Sequence, residues 1–170
     1  ILSMQDKKED YVASIKGSEF SLNDVNNNVV TEKSFQGPAT ALFFGFTHCP
    51  DVCPMTLNKL SIILERLKKE NKSLKVFFIS IDPERDTPEI MKDYLNSFEG
   101  KFIGITGNPE KIFKLSQSWG IASQKIFSND GEYTVNHSSP IILLKNGKYV
   151  DRITHKDDLK RSIKIIKKYL

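Results

Sequence analysis

Three apolar runs constrain the fold of this chain more than any other feature. Ala41–Phe46 (ALFFGF), Leu74–Ile81 (LKVFFISI) and Phe102–Thr106 (FIGIT) are almost continuous in hydrophobic residues. Side chains alternate in direction along a strand, so a run that is apolar at nearly every position needs cover on both faces. Each run is followed by helical periodicity. Leu57, Leu60, Leu64 and Leu67 share one helical face. Thr87-Pro88 reads as an N-cap and first helical position, with Ile90, Met91, Tyr94, Leu95 and Phe98 as the apolar side of its helix. Asn108-Pro109 repeats the pattern, and that helix is expected to end near Gly120. Strands that alternate with helices predict an α/β protein with a mixed central sheet flanked by helices.

The flanking segments complete the plan. Residues 1–10 are polar and read as a linker or frayed segment, leaving 11–170 as the folded domain. Val12–Ile15 and Phe20–Leu22 read as short strands, Asn26-Asn27-Asn28 as a turn and Val29-Val30 as another strand, which predicts an N-terminal β-hairpin. Ser128-Asn129-Asp130-Gly131 is a hairpin turn between Gln124–Phe127 and Glu132–Val135. Ile141–Leu144, Asn146-Gly147 and Tyr149–Ile153 form a further hairpin, and Leu159, Ile163, Ile166 and Leu170 line a closing helix. A buried strand that leads into a cysteine-containing turn and helix, with a final hairpin and helix, matches the thioredoxin-like plan.

Composition excludes several classes. A chain of 170 residues with 39% hydrophobic content is one ordinary globular domain. Lys and Arg total 25 against 21 Asp and Glu, a formal balance of +4. The basic residues Lys68, Lys69, Lys72, Lys164, Lys167 and Lys168 recur at helical spacing among apolar ones and read as solvated helix faces. A nucleic-acid partner is therefore not predicted. No stretch is apolar and long enough to cross a bilayer, and no signal peptide is present. The first residue is Ile1 rather than Met, which reads as a trimmed or processed form with an upstream anchor removed.

The chemistry concentrates in Phe46-Thr47-His48-Cys49-Pro50-Asp51-Val52-Cys53-Pro54, between the first buried strand and its helix. Ligands of α/β sheets bind outside the carboxyl ends of strands, where this segment falls. The only 2 cysteines of the chain are both here, which points to a redox pair or a metal site rather than a disulfide framework. Pro54 fits the first helical position with Cys53 as N-cap; alternatively the helix starts at Pro50 and the two Cα atoms stand roughly 6 Å apart. Either arrangement sets the thiols near the positive end of the helix, which favours thiolate. Thiolates are soft ligands suited to Cu(I), and a neutral imidazole is a sensible third donor. His155 lies among Thr154, Lys156 and Asp157 and reads as solvated. His48 adjoins Cys49, and adjacent side chains diverge. His137 sits at the junction before Ile141–Leu144, which in a thioredoxin-like fold faces the cysteine turn.

FGFTHCPDVCP at Phe44–Pro54, SIDPERDTPE at Ser80–Glu89, the single His137 and the opening FSLNDVNNNVVTEKSFQG at Phe20–Gly37 together resemble the Sco/SenC family of copper-binding assembly factors for cytochrome c oxidase. The resemblance spans about residues 18–165. It implies a thioredoxin-like domain that holds one copper ion through Cys49, Cys53 and His137. It also implies an upstream copper donor protein, a client oxidase subunit carrying the copper centre, and a membrane anchor N-terminal to this chain. The domain would then face the bacterial periplasm or the mitochondrial intermembrane space. Asn136 stands where the family often has Asp. Asp82 and Arg85 read equally as supports of the site, as partner-docking groups or as solvated charges of a capping loop.

Three functions compete on these residues. The first is copper delivery without turnover. The second is a thiol-disulfide reductase in which Cys49 and Cys53 form the redox pair. The third, a peroxidase with one low-pKa cysteine, fits poorly with a second cysteine four residues on and paired prolines.

Overall fold

A computed structural model describes residues 2–137 and 140–170, with the side chains of Asn136 and His137 excluded. The strands are β1 (Ser21–Asp24), β2 (Val29–Thr31), β3 (Thr40–Gly45), β4 (Lys75–Ser80), β5 (Phe102–Thr106), β6 (Ser123–Phe127), β7 (Tyr133–His137), β8 (Ile141–Lys145) and β9 (Lys148–Ile153). The helices are α1 (Met4–Ser14), α2 (Val52–Lys69), α3 (Pro88–Asn96), α4 (Pro109–Ser118) and α5 (Leu159–Lys167).

Seven strands form one sheet in the order β2-β1-β5-β4-β3-β8-β9. The three apolar runs are its parallel centre: β4 lies between β3 and β5 and runs parallel to both. β8 returns antiparallel along β3, and the β1–β2 hairpin closes the other edge antiparallel to β5. The period-two argument resolves residue by residue. Ala41, Phe43 and Phe78 face one core with α2, α3 and α5, while Leu42, Phe44, Phe77 and Ile79 face a second core with α4, Trp119 and Val12. All six positions of β3 are buried. The capping signals also hold: Thr87 Oγ1 accepts from Ile90 N and Asn108 Oδ1 from Lys111 N. Asn146 and Gly147, with φ of 52° and 77°, make the two-residue turn between β8 and β9.

The expectation for the N-terminal segment fails. Val12–Ile15 is not a strand, and the polar segment before it is not extended. Ser3 and Asp6 form a capping box that starts α1, which runs through to Ser14. Within this helix Val12 alone is buried, and Lys8 reaches Asp151 on β9 at 2.9 Å. A short apolar run carries too little periodicity to separate strand from helix, and the cap lies in polar residues that were read as linker.

β6 and β7 stand apart as a two-stranded sheet. Of the described side chains on it, Val135 is buried in the α2-side core, while Ile126 and Phe127 are exposed.

Candidate metal centre

β3 ends at Gly45, and the chain turns at once, with Cys49 N donating to the Phe46 carbonyl at 3.2 Å. α2 starts at Val52, with Asp51 at its N-cap, so neither expected helix start is adopted. The first full helical bond is Met55 N to Asp51 O, at 3.1 Å. Cys53 therefore takes the second helical position and Pro54 the third. The N–H groups of the first turn have no intrahelical partner, so proline costs no hydrogen bond at the third position either.

Both cysteines are free and buried, Cys49 8% exposed and Cys53 fully enclosed. The strand beside them must be glycine: a Cβ at Gly45 would stand 2.8 Å from Cys53 Sγ and 2.8 Å from the Phe78 ring. Burial pushes the Cys53 thiol well above its ordinary value, with the Cys49 side chain and Asp86 adding to the rise and a backbone hydrogen bond from Phe46 opposing it. This reverses the expectation for Cys53 that the helix terminus would favour thiolate. A helix end contributes about 0.3–1 kcal/mol where exposed, whereas full burial can move a group by about 3–5 pKa units.

Asp86 organises the turn from behind. It is fully buried, and its carboxylate accepts from Thr47 N at 3.1 Å, Thr47 Oγ1 at 2.5 Å and Ser80 Oγ at 2.6 Å. Its own carbonyl accepts from Thr106 Oγ1 at 2.7 Å. One residue thus ties the position two before Cys49 to the ends of β4 and β5, through its carboxylate to Thr47 and Ser80 and through its carbonyl to Thr106. Sequence reasoning passed over Asp86 because it precedes Thr87-Pro88 and reads as part of a capping loop. Its role depends on Thr47, 39 residues away. Tyr94 of α3 was likewise read only as core. Among the described residues its hydroxyl is buried without a hydrogen-bond partner, and burial first, then Cys53, Cys49 and Asp86, raises its pKa. The phenol thus shares the electrostatic surroundings of both sulfurs.

Asp82 and Arg85 are paired, not free in a solvated loop. Arg85 Nε donates to Asp82 Oδ2 at 2.5 Å, and Asp82 is 1% exposed. Tyr133 on β7 closes the group, its hydroxyl donating to Asp82 Oδ1 at 2.8 Å. Asp82, Asp86 and His48 bring potential ligand atoms within 4.8 Å of one another. Those carboxylates are already occupied, by Arg85 and Tyr133 in one case and by Thr47 and Ser80 in the other, so the trio is not a ready cation site. His48 is exposed, its Nδ1 3.3 Å from Thr47 Oγ1. His155 is exposed, as expected.

The His137 backbone ends β7, paired with Ser123. Ile141, which opens β8, lies opposite Phe43, two residues before the end of β3. Three residues therefore separate the end of β7 from the strand that pairs with β3. The His137 side chain, and Ser138 and Ser139 after it, lie outside the described residues.

Residues 8–170 match the SCO1/SenC family model. The chain belongs to the SCO1/SenC family. An SCO2-like protein of Rickettsia typhi is 39% identical over 144 residues, covering 82% of this chain and 71% of its own. A mitochondrial SCO1 homolog of Arabidopsis thaliana is 42% identical over 130 residues, covering 75% of this chain and 39% of its own. Among solved structures, Bradyrhizobium japonicum ScoI with copper bound is 40% identical with a TM-score of 0.83, covering 91% of this chain and 99% of its own. The thioredoxin-like fold read from the sequence is thus the fold of this SCO1/SenC chain. Among the described residues, no helix is long and apolar enough to cross a membrane.

Proposed function

We propose that this chain is a copper metallochaperone that carries one copper ion on Cys49, Cys53 and His137 and delivers it to a cytochrome c oxidase copper centre during assembly. The observation that carries the reading is the enclosed pair of free thiols at the start of α2. Two sulfurs and an imidazole form a soft donor set that suits Cu(I). Copper is the cargo, and each sulfur that takes it must release a proton. Both sulfurs are buried, which limits their access to a client disulfide and favours delivery over the alternative, a thiol-disulfide reductase that keeps the client's copper-ligand cysteines reduced. The copper-bound ScoI relative supports the same cargo.

Membership of the family supports finer assignments as part of this proposal. The partners are an upstream copper donor and the oxidase subunit that receives the metal. The domain works from a membrane anchor, facing the periplasm or the mitochondrial intermembrane space; the mitochondrial SCO1 homolog supports such a compartment.

Competitive Cu(I) titration of the reduced protein beside His137→Ala tests the reading, with circular dichroism as the folding control. Weaker copper binding by a folded variant is expected. Unchanged affinity and an unchanged Cu(II) spectrum would remove His137 from the site and favour the reductase.

A further inference from the structure

The β6–β7 hairpin carries His137 but is not part of the main sheet. A cleft of about 730 Å³ opens between it and α4, lined by Phe113, Gln117, Gln124, Lys125 and Val135. The hairpin is therefore not packed tightly against that helix. Its polar attachment is to the loop after β4, whose Asp82 and Glu84 also line that cleft. Arg85 Nη1 donates to the Tyr133 carbonyl at 2.8 Å, and the guanidinium stacks on the Tyr133 ring with Cζ 3.8 Å from the centroid. Arg85 Nε and the Tyr133 hydroxyl both donate to Asp82. Asp82, Arg85 and Tyr133 thus form a closed ring of three contacts. Among the described residues Arg85 Nη2 is buried without a hydrogen-bond partner. The ring connects to the cysteine turn through Asp86, whose N–H donates to the Asp82 carbonyl at 2.9 Å and whose carboxylate holds Thr47.

We propose that Arg85, Asp82 and Tyr133 form a latch that holds the β6–β7 arm, and with it His137, against the cysteine turn, and thereby sets copper affinity. The inference rests on the copper reading above. Tyr133 lies four residues from His137 on one strand, about 13 Å at the usual rise, so a shift of the arm at the latch displaces the histidine. Arg85 and Tyr133 act as positioning residues. The fork and plane of Arg85 are both used, one in hydrogen bonds and the other in stacking, and lysine could not reproduce them.

The test is a double-mutant cycle. Arg85→Ala is expected to weaken Cu(I) binding about 10-fold or more, in the range typical for loss of a group that orients a metal ligand. In a His137→Ala background the same change should have no further effect. Tyr133→Phe, which keeps the stack and loses the bond to Asp82, should give a smaller loss. Arg85→Lys should rescue only part of the affinity. In the apo protein, hydrogen exchange of the peptide spanning 123–137 should rise in Arg85→Ala while that of α2 stays constant. An equal affinity loss in both backgrounds, or unchanged exchange of the hairpin, would overturn the latch. If His137→Ala alone binds copper as tightly as the parent, the ligand assignment fails, and the hairpin exchange decides the latch by itself.

Discussion

The cysteine turn and the β6–β7 hairpin carry the two halves of the proposed copper site, yet they are built on opposite terms. The turn leaves a strand buried at every position, enters a long helix, and is pinned from behind by one enclosed carboxylate. The hairpin is a separate two-stranded sheet whose strand β6 is largely exposed, held by Val135 and a ring of polar contacts. A carrier must hold a metal and also release it. On the proposed reading, a fixed dithiol beside a third donor on a separately held arm would meet both demands, because loosening the arm would lower affinity without disturbing the sulfurs.

The largest effect should come from the fixed half. Cys49→Ala or Cys53→Ala is expected to reduce copper retained after desalting from about one per chain to none, because imidazole cannot replace a thiolate in softness. Metal analysis of the desalted protein reads this directly, and undiminished copper in either variant would break the site assignment. Next is Gly45→Ala, which forces a Cβ to within 2.8 Å of Cys53 Sγ. It should destabilise the fold by about 1–3 kcal/mol, an overpacking penalty that a thermal melt would show. A melt that matches the parent would mean the turn has more give than its packing implies.

Asp86→Asn comes third. The amide keeps one acceptor oxygen and sets an NH2 group against buried donors, at a cost of about 1–3 kcal/mol. Denaturant unfolding of the apo protein measures it, and the loss should appear without any change in hairpin exchange.

Acid and alkali should then separate the two regions. In the hairpin turn, the Ser128 hydroxyl first and the Glu132 N–H second hold the Asp130 carboxyl below its ordinary 3.8. A lowered folded value gives a contribution that is present above 3.8 and is lost as pH falls through the lowered value. For Cys53, burial raises the folded value, so its contribution is complete below the ordinary 9.0 and is lost as pH rises beyond it. Residue-resolved NMR across the two extremes should show the hairpin turn responding to acid and the cysteine turn to alkali. A joint response of both regions at either end would show that they are one cooperative unit.

The smallest effect is expected for Lys125→Ala. Its ion pair with Glu84 at 2.7 Å is exposed, and such pairs contribute about 0–1 kcal/mol. If melting and hairpin exchange move more for Lys125→Ala than for Arg85→Ala, the arm is held by its surface charges and not by the buried ring.

The local pattern alone determined the parallel centre of the sheet, the caps at Thr87 and Asn108, the tight turn at Asn146-Gly147 and the clustering of soft ligands at Cys49 and Cys53. Each depends on residues a few positions apart, whose periodicity or turn chemistry survives in any context. The start of α2, the protonated state favoured for Cys53, the tie from Asp86 to Thr47 and the ring joining Asp82 and Arg85 to Tyr133 were decided only by the tertiary structure. Burial is a property of the assembled core, and it outweighed the helix terminus that the sequence could show. The polar ties join residues 39, 48 and 51 positions apart, and nothing in the local sequence of an aspartate names the partner that the fold brings to it.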